Sequence, residues 1–287
     1  MVKLSFFVGC TSAVREVNYE ISAKAVLESL GVELEYIEGQ SCCGLPFRYV
    51  SFDSWLTLAS RNIALAELTG NPMLVLCSGC YKSFKEALSL ISKPELKKSV
   101  NERLSIEGLE VKGGLKVIHI AELLHDHYGV DRLAQQVKVK LNLNVAVHPG
   151  CHIVRPMDVI GFDNPEVPLK LEKLVELTGC NSIQYRTKRE CCGATLAGID
   201  QEASKSLVAR KIMNIKGRAD ALITFCPICH ASYDAMQRAA LKPEDQVPVL
   251  HYTQLLGLAL GLPPEKLGFD YNRVSVDKVL AKIKNTP

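Results

Sequence analysis

Short apolar runs alternate with longer amphipathic ones along the whole chain, the pattern of a parallel sheet covered by helices. In the first half the runs predict strands over 3–8, 32–37, 73–76 and 116–120, with helices over about 17–30, 52–68, 81–90 and 121–128. The second half repeats the alternation, with strands over 145–148, 182–185, 221–225 and 248–250 and helices over about 168–177, 201–215, 230–239 and 253–260. Gly31 and Gly179 follow their helices as C-cap residues do, and Pro72 and Pro248 open strands. The stretch 130–144 reads as a link, and the Lys-rich tail from Pro264 onward adds a short terminal helix or frays.

The cysteines show that the two halves are copies. Cys42/Cys191, Cys43/Cys192, Cys77/Cys226 and Cys80/Cys229 are each 149 positions apart, and Cys10/Cys151 are 141 apart, so the second copy has eight extra residues after its first cysteine. Of the eleven cysteines, Cys180 alone has no partner. Gly9 matches Gly150, Gly44 matches Gly193, and each half closes on a His-x-x-x-Leu-Leu stretch, His119 to Leu124 and His251 to Leu256. This is an internal duplication. It divides the chain into a first domain over 1–136 and a second over 137–287 that carries the tail.

Composition narrows the function classes. With 287 residues, 47% of them hydrophobic, the chain can bury a substantial core and is not disordered. A net charge of +3 is too mild for a phosphate-driven nucleic-acid footprint. The longest apolar runs, such as Met73 to Cys77 and Ala221 to Ile223, fall far short of the roughly 20 residues that cross a bilayer. The apolar run before Cys10 is too short for the h-region of a lipoprotein signal. A cytoplasmic, reducing compartment is therefore expected, and there so many cysteines point to metal or redox chemistry rather than disulfides.

Each cysteine group falls at the carboxyl end of a predicted strand, the edge at which ligands collect in open parallel sheets. The Cys-x-x-Cys pairs also lie at the amino end of the next helix, where free N–H groups and the helix dipole favour thiolate. Five thiolates per half can thus converge. One zinc takes four ligands, which leaves a cysteine of each half unused, and two adjacent cysteines chelate one small ion poorly. An iron-sulfur cluster has several irons to share them, so the ligand chemistry favours iron-sulfur, with structural zinc as the alternative. Gly44 and Gly193 are expected either to let the backbone approach such a cluster or to make a tight turn.

The double pattern Cys10, Cys42-Cys43-Gly44, Cys77-x-x-Cys80 and Cys151, Cys191-Cys192-Gly193, Cys226-x-x-Cys229 resembles the twin cysteine-rich CCG domains of the heterodisulfide reductase B subunit. The resemblance covers essentially the whole chain, and the strings 39–43, 148–152 and 225–230 are closer to that protein than to other CCG proteins. It implies an α/β fold of two duplicated Rossmann-like domains related by pseudo-two-fold symmetry. It also implies a noncubane 4Fe-4S cluster in each half: Cys10, Cys42, Cys43, Cys77 and Cys80 would hold the first, and Cys151, Cys191, Cys192, Cys226 and Cys229 the second. A substrate disulfide, of the coenzyme M-coenzyme B type, would lie between them and receive one electron from each. The alternative function is a CCG electron-transfer subunit of another oxidoreductase, such as a succinate dehydrogenase, a thiol:fumarate reductase or a sulfur-oxidising relative.

Thiol release needs protons, and His148, His152 and His230 flank second-half ligands where the first half has Phe7, Thr11 and Tyr81. His152 is the candidate proton donor, and it equally suits a hydrogen bond to a cluster sulfur. Arg48 and Arg155 follow cluster cysteines and could take an anionic group of the substrate. Cys180 reads as a small buried apolar residue. The sequence contains no Cys-x2-Cys-x2-Cys-x3-Cys run, no Gly-x-Gly-x-x-Gly after a strand and no Walker loop. Electrons would then come from partners, by resemblance a ferredoxin-like iron-sulfur subunit fed by a flavoprotein subunit.

Overall fold

The computed structural model describes residues 2–284. The first half runs β1 (Val2–Phe7), α1 (Cys10–Val14), α2 (Val17–Ser29), β2 (Val32–Tyr36), α3 (Phe52–Glu67), β3 (Met73–Val75), α4 (Ser78–Ile91), α5 (Pro94–Leu104), β4 (Val117–His119) and α6 (Ile120–Glu122). A π-helical stretch, Leu123–Gly129, continues α6 into α7 (Val130–Gln136). The second half runs β5 (Asn144–His148), α8 (Met157–Ile160), α9 (Lys170–Glu176), β6 (Asn181–Ser182), α10 (Gln201–Ile215), β7 (Ala221–Thr224), α11 (Pro227–Ala240), β8 (Val249–His251), α12 (Tyr252–Ala259) and α13 (Asp277–Lys284).

Each half builds a four-stranded parallel sheet, ordered β2-β1-β3-β4 and β6-β5-β7-β8. Strands β3 and β7 are buried on both faces: Met73–Val75 and Ala221–Thr224 are wholly buried. Matching devices start matching helices. Ser51 accepts a hydrogen bond from Ser54 N at the head of α3, and Asp200 accepts one from Ala203 N at the head of α10. His119 and His251 end their strands, and the side chains of Glu122 and Gln254 reach back to their backbone N–H groups.

The halves interlock reciprocally. Helix α2 packs on α12 of the other half, while α9 packs on the π-helical stretch, which stands where α12 does in the duplicate. Tyr19 on α2 donates its hydroxyl to Phe225 O and stacks on His251, and Ser22 Oγ bonds Thr253 Oγ1 at 2.6 Å. On the other side Lys170 Nζ pairs with Asp126 at 2.7 Å.

The expected α/β architecture is observed, with local differences. Helices α4 and α11 begin one turn earlier than periodicity suggests, because the first cysteine of each Cys-x-x-Cys is itself the N-cap. The strand expected over 182–185 shrinks to two residues, since Gln184 turns aside to Glu172 and Tyr185 donates to Val147 O. Helices α1 and α5 are additional; α5 is so polar that only Val100 and Leu104 are buried in it. The expected link begins as helix α7, and its remainder is tied to the second half by Lys138 N to Ala259 O and Leu141 N to Thr178 O. The tail ends in α13, and its last three residues, 285–287, lie outside the described stretch. Among the described residues no helix is long and apolar enough to cross a membrane.

Candidate metal centre

The parallel order puts every strand's carboxyl end on one edge of its sheet, and the cysteine loops leave from there. Gly9 and Gly150, both at φ +77, turn the chain out of β1 and β5, and Cys10 opens α1 directly behind the first of them. Cys77 and Cys226 are N-caps of α4 and α11, which places Cys80 and Cys229 in the first turn. The Cys-Cys-Gly loops are hung from those same helices: Ser83 Oγ donates to Cys43 O at 2.8 Å and Ser232 Oγ to Cys192 O at 2.7 Å.

Ten sulfurs form one continuous series. In the first half the thiols interact in the order Cys10, Cys42, Cys43, Cys80, Cys77. In the second the order is Cys226, Cys229, Cys192, Cys191, Cys151. The two arcs meet where Cys77 Sγ lies 3.8 Å from Cys226 Sγ. Both inner ends are buried, whereas Cys10 and Cys191 are exposed and Cys42 and Cys151 half-buried, so each arc climbs from the middle of the molecule to its surface. Cys180 is buried just ahead of β6 and takes no part.

Thiols this close share protons unequally, one sulfur of each group becoming the acceptor. Hydrogen bonds from Cys229 and Cys77, reinforced by N–H groups at the start of α11, hold Cys226 well below the usual thiol range. Bonds from Cys42 and Cys80 do the same for Cys43. Cys151 and Cys192 bring Cys191 down to about 2, and Gly193 N donates to its sulfur at 3.4 Å.

His152 belongs to the second half but leans over the first. Its Nδ1 lies 3.6 Å from where a side chain at Gly79 would begin, inside the Cys77-x-x-Cys80 turn. Burial and the nearby Lys82 push its pKa down, which leaves the ring neutral. The duplicate position of Gly79 is Ile228. His148 and His230 are fully enclosed: His148 Nδ1 faces Lys211 Nζ at 3.2 Å, and His230 Nε2 faces Glu16 Oε2 at 3.5 Å. Arg48 is bonded through Nε to Glu86 at 2.9 Å and lies over the Trp55 ring. Arg155 is bonded through Nη2 to Glu166 at 3.0 Å and to Pro165 O.

Glycine at the Cys-Cys-Gly turns has a different explanation from cofactor clearance. Gly44 has φ +77, and a Cβ there would meet Trp55 O at 3.0 Å; at Gly193, φ +75, it would meet Leu207 and Ser204 at 3.2 Å. The space is taken by α3 and α10, so the tight-turn reason accounts for both glycines.

Sequence reasoning missed Lys211. It is fully buried on α10 and donates to Lys188 O at 3.0 Å and Glu190 O at 3.1 Å, bracing the loop that enters Cys191.

Residues 4–85 and 145–234 each match the cysteine-rich domain CCG. Over nearly the full length of both proteins (99% of this chain, 97% of the relative), the chain is 39% identical to the B subunit of the ferredoxin/F(420)H(2)-dependent CoB-CoM heterodisulfide reductase of Methanosarcina acetivorans. It belongs to the family of heterodisulfide reductase B subunits, with their twin CCG domains. Within that family's wider circle it is 32% identical to the 8-methylmenaquinol:fumarate reductase membrane anchor subunit of Wolinella succinogenes, covering 96% of this chain and 99% of that one. The crystal structure of a hypothetical protein from Helicobacter pylori shares the fold, with a TM-score of 0.77 at 17% identity; the match takes in 95% of this chain and 52% of that one.

In this member of the heterodisulfide reductase family the donor set suits a polynuclear group better than a single ion. Tetrahedral zinc thiolates, with Zn–S bonds of about 2.3 Å, bring their sulfurs mutually within about 3.8 Å. Among the described residues no three cysteine sulfurs come mutually within 4.8 Å. Ten thiols strung along two arcs fit iron-sulfide centres, which spread their ligands over several metals.

Proposed function

We propose that the chain is the disulfide-reducing iron-sulfur subunit of a heterodisulfide reductase complex, acting on a coenzyme M-coenzyme B type disulfide. The observation that carries this reading is the meeting of the two cysteine arcs at Cys77 and Cys226, 3.8 Å apart across the boundary between the halves. A disulfide takes two electrons, and a site shared by two five-cysteine arcs can address both of its sulfurs.

Cys10, Cys42, Cys43, Cys77 and Cys80 would hold one 4Fe-4S cluster and Cys151, Cys191, Cys192, Cys226 and Cys229 another, both of the noncubane type. When bound, such clusters supply single electrons and iron positions that accept sulfur. The protein's own part is positioning and protonation. The buried inner cysteines exclude water from the middle, and the exposed outer ones leave the way open to a small disulfide. His152, neutral and poised over Gly79, would take up a proton from solvent at its free ring nitrogen and pass it to a departing thiolate, returning to the neutral ring. Arg48 keeps its terminal nitrogens, and Arg155 its Nη1, for an anionic group of the substrate. Electrons arrive from a ferredoxin-like iron-sulfur subunit and, behind it, a flavoprotein subunit.

The similarity to the Wolinella protein supports a second reading, electron transfer to another acceptor. The two readings separate in one experiment. The anaerobically purified protein is oxidised with and without coenzyme M or coenzyme B thiol and followed by electron paramagnetic resonance. A thiol-dependent paramagnetic signal supports disulfide reduction; a protein rich in iron and sulfide whose spectrum ignores both thiols supports the electron-transfer reading.

A further inference from the structure

Lys211 on α10 and Asn62 on α3 are duplicates, 149 positions apart, and both brace the loop that leads into the cysteine pair. Asn62 does so as a neutral amide: its Nδ2 donates to Cys42 O at 3.1 Å and its Oδ1 accepts from Ser41 N at 2.8 Å. Lys211 does so with an ammonium, bonded to Lys188 O, Glu190 O and His148 Nδ1. Bracing alone therefore needs no charge. Taking an ammonium out of water costs several kcal/mol unless an opposite charge compensates, and all three of these acceptors are neutral. The neighbouring carboxylate, Glu190, is engaged by Arg210 at 2.7 Å. The sulfurs of Cys229, Cys192 and Cys191 act on the ammonium as well, and of these the proton sharing described above makes Cys191 the thiolate.

We propose that Lys211 is a positioning residue whose buried charge sets the second-half centre at a higher reduction potential than the first. Electrons entering the chain then settle first beside Cys151, Cys191, Cys192, Cys226 and Cys229. The physical reason is that reduction adds negative charge, and a fixed cation in a low-dielectric setting stabilises the reduced form. The first half, with Asn62 in that place, lacks this bias. The inference rests on the cluster reading given above and assigns an order to its two centres.

The test uses the full chain in its complex, purified anaerobically as wild type, Lys211→Gln and Lys211→Arg, and titrated potentiometrically with paramagnetic resonance detection. Glutamine keeps a donor for the loop carbonyls and removes the charge; arginine keeps the charge. Two midpoints are expected in the wild type. In K211Q the higher should fall toward the lower while the lower stays in place, and K211R should restore the separation. Unmoved midpoints in a fully loaded K211Q protein overturn the inference alone. If K211Q instead loses about half of its iron and sulfide, retention of both by K211R supports the charge, and equal loss in K211R overturns it. Wild-type protein without iron and sulfide overturns the cluster reading, and this inference with it.

Discussion

Replacing Gly44 by alanine should damage the protein through α3 before any cofactor is involved. The left-handed backbone at φ +77 costs an alanine about 1–2 kcal/mol. The new Cβ would also sit 3.0 Å from Trp55 O and 3.1 Å from Leu58 Cβ. Trp55 O is part of a helix backbone and cannot turn aside, so overpacking adds about 1–3 kcal/mol. The duplicate substitution, Gly193→Ala, carries the same backbone cost, but its Cβ meets side-chain atoms of Leu207 and Ser204 at 3.2 Å, which can shift. We therefore expect Gly44→Ala to lose about 2–5 kcal/mol and Gly193→Ala about 1–2 kcal/mol less than that. Anaerobic urea denaturation followed by far-ultraviolet circular dichroism measures both, and iron per chain is read on the same samples. Equal losses in the two variants, or a Gly44→Ala protein that loses iron at unchanged stability of the iron-free chain, would refute the reasoning.

Cys77→Ser should remove most of the iron and sulfide of its half, whereas Cys180→Ser, far from both arcs, should leave metal content and activity unchanged; elemental and sulfide analysis decides. His152→Asn should keep the iron and lower disulfide turnover at least tenfold, the usual worth of a placed acid being about 10²–10⁴; unchanged turnover in loaded protein would assign the ring to a hydrogen-bonding role. Burial and the nearby Asp234 push the Glu16 carboxyl up to about 8 in the folded chain. The folded state thus binds a proton that the unfolded state releases near 4.5, and stability declines as pH rises through that interval toward 8. Glu16→Gln should flatten this decline, and the difference between the variant's and the wild type's denaturation midpoints, followed up to about pH 8, would show it.

The fold was legible because alternation and duplication are both written in residue types. The wholly apolar 73–75 and 221–223 announce central strands, and the constant spacing of the cysteines aligns the halves without any structure. Convergence of the cysteines followed from strand direction alone. Short helices were lost: α1 has five residues, too few for a period, and α5 is nearly all polar. Lys211 was overlooked because lysine on a helix ordinarily means a solvated face. Its spacing from Val208, Ile212 and Ile215 nevertheless puts it on the apolar stripe, and the duplicate Asn62 is polar at the same place. The lean of His152 across the boundary depends on how the halves pack, which no local pattern encodes.

The crossed packing of α2 on α12 and of α9 on the π-helical stretch makes each copy complete the other. A severed half would present Tyr19 and Ser22, whose partners lie across the boundary, to water, so cutting the chain near residue 137 should yield fragments that recombine rather than two independent proteins. A half-length ancestor built this way would have needed a twin to fold, which makes a symmetric homodimer the natural parent of the fused chain.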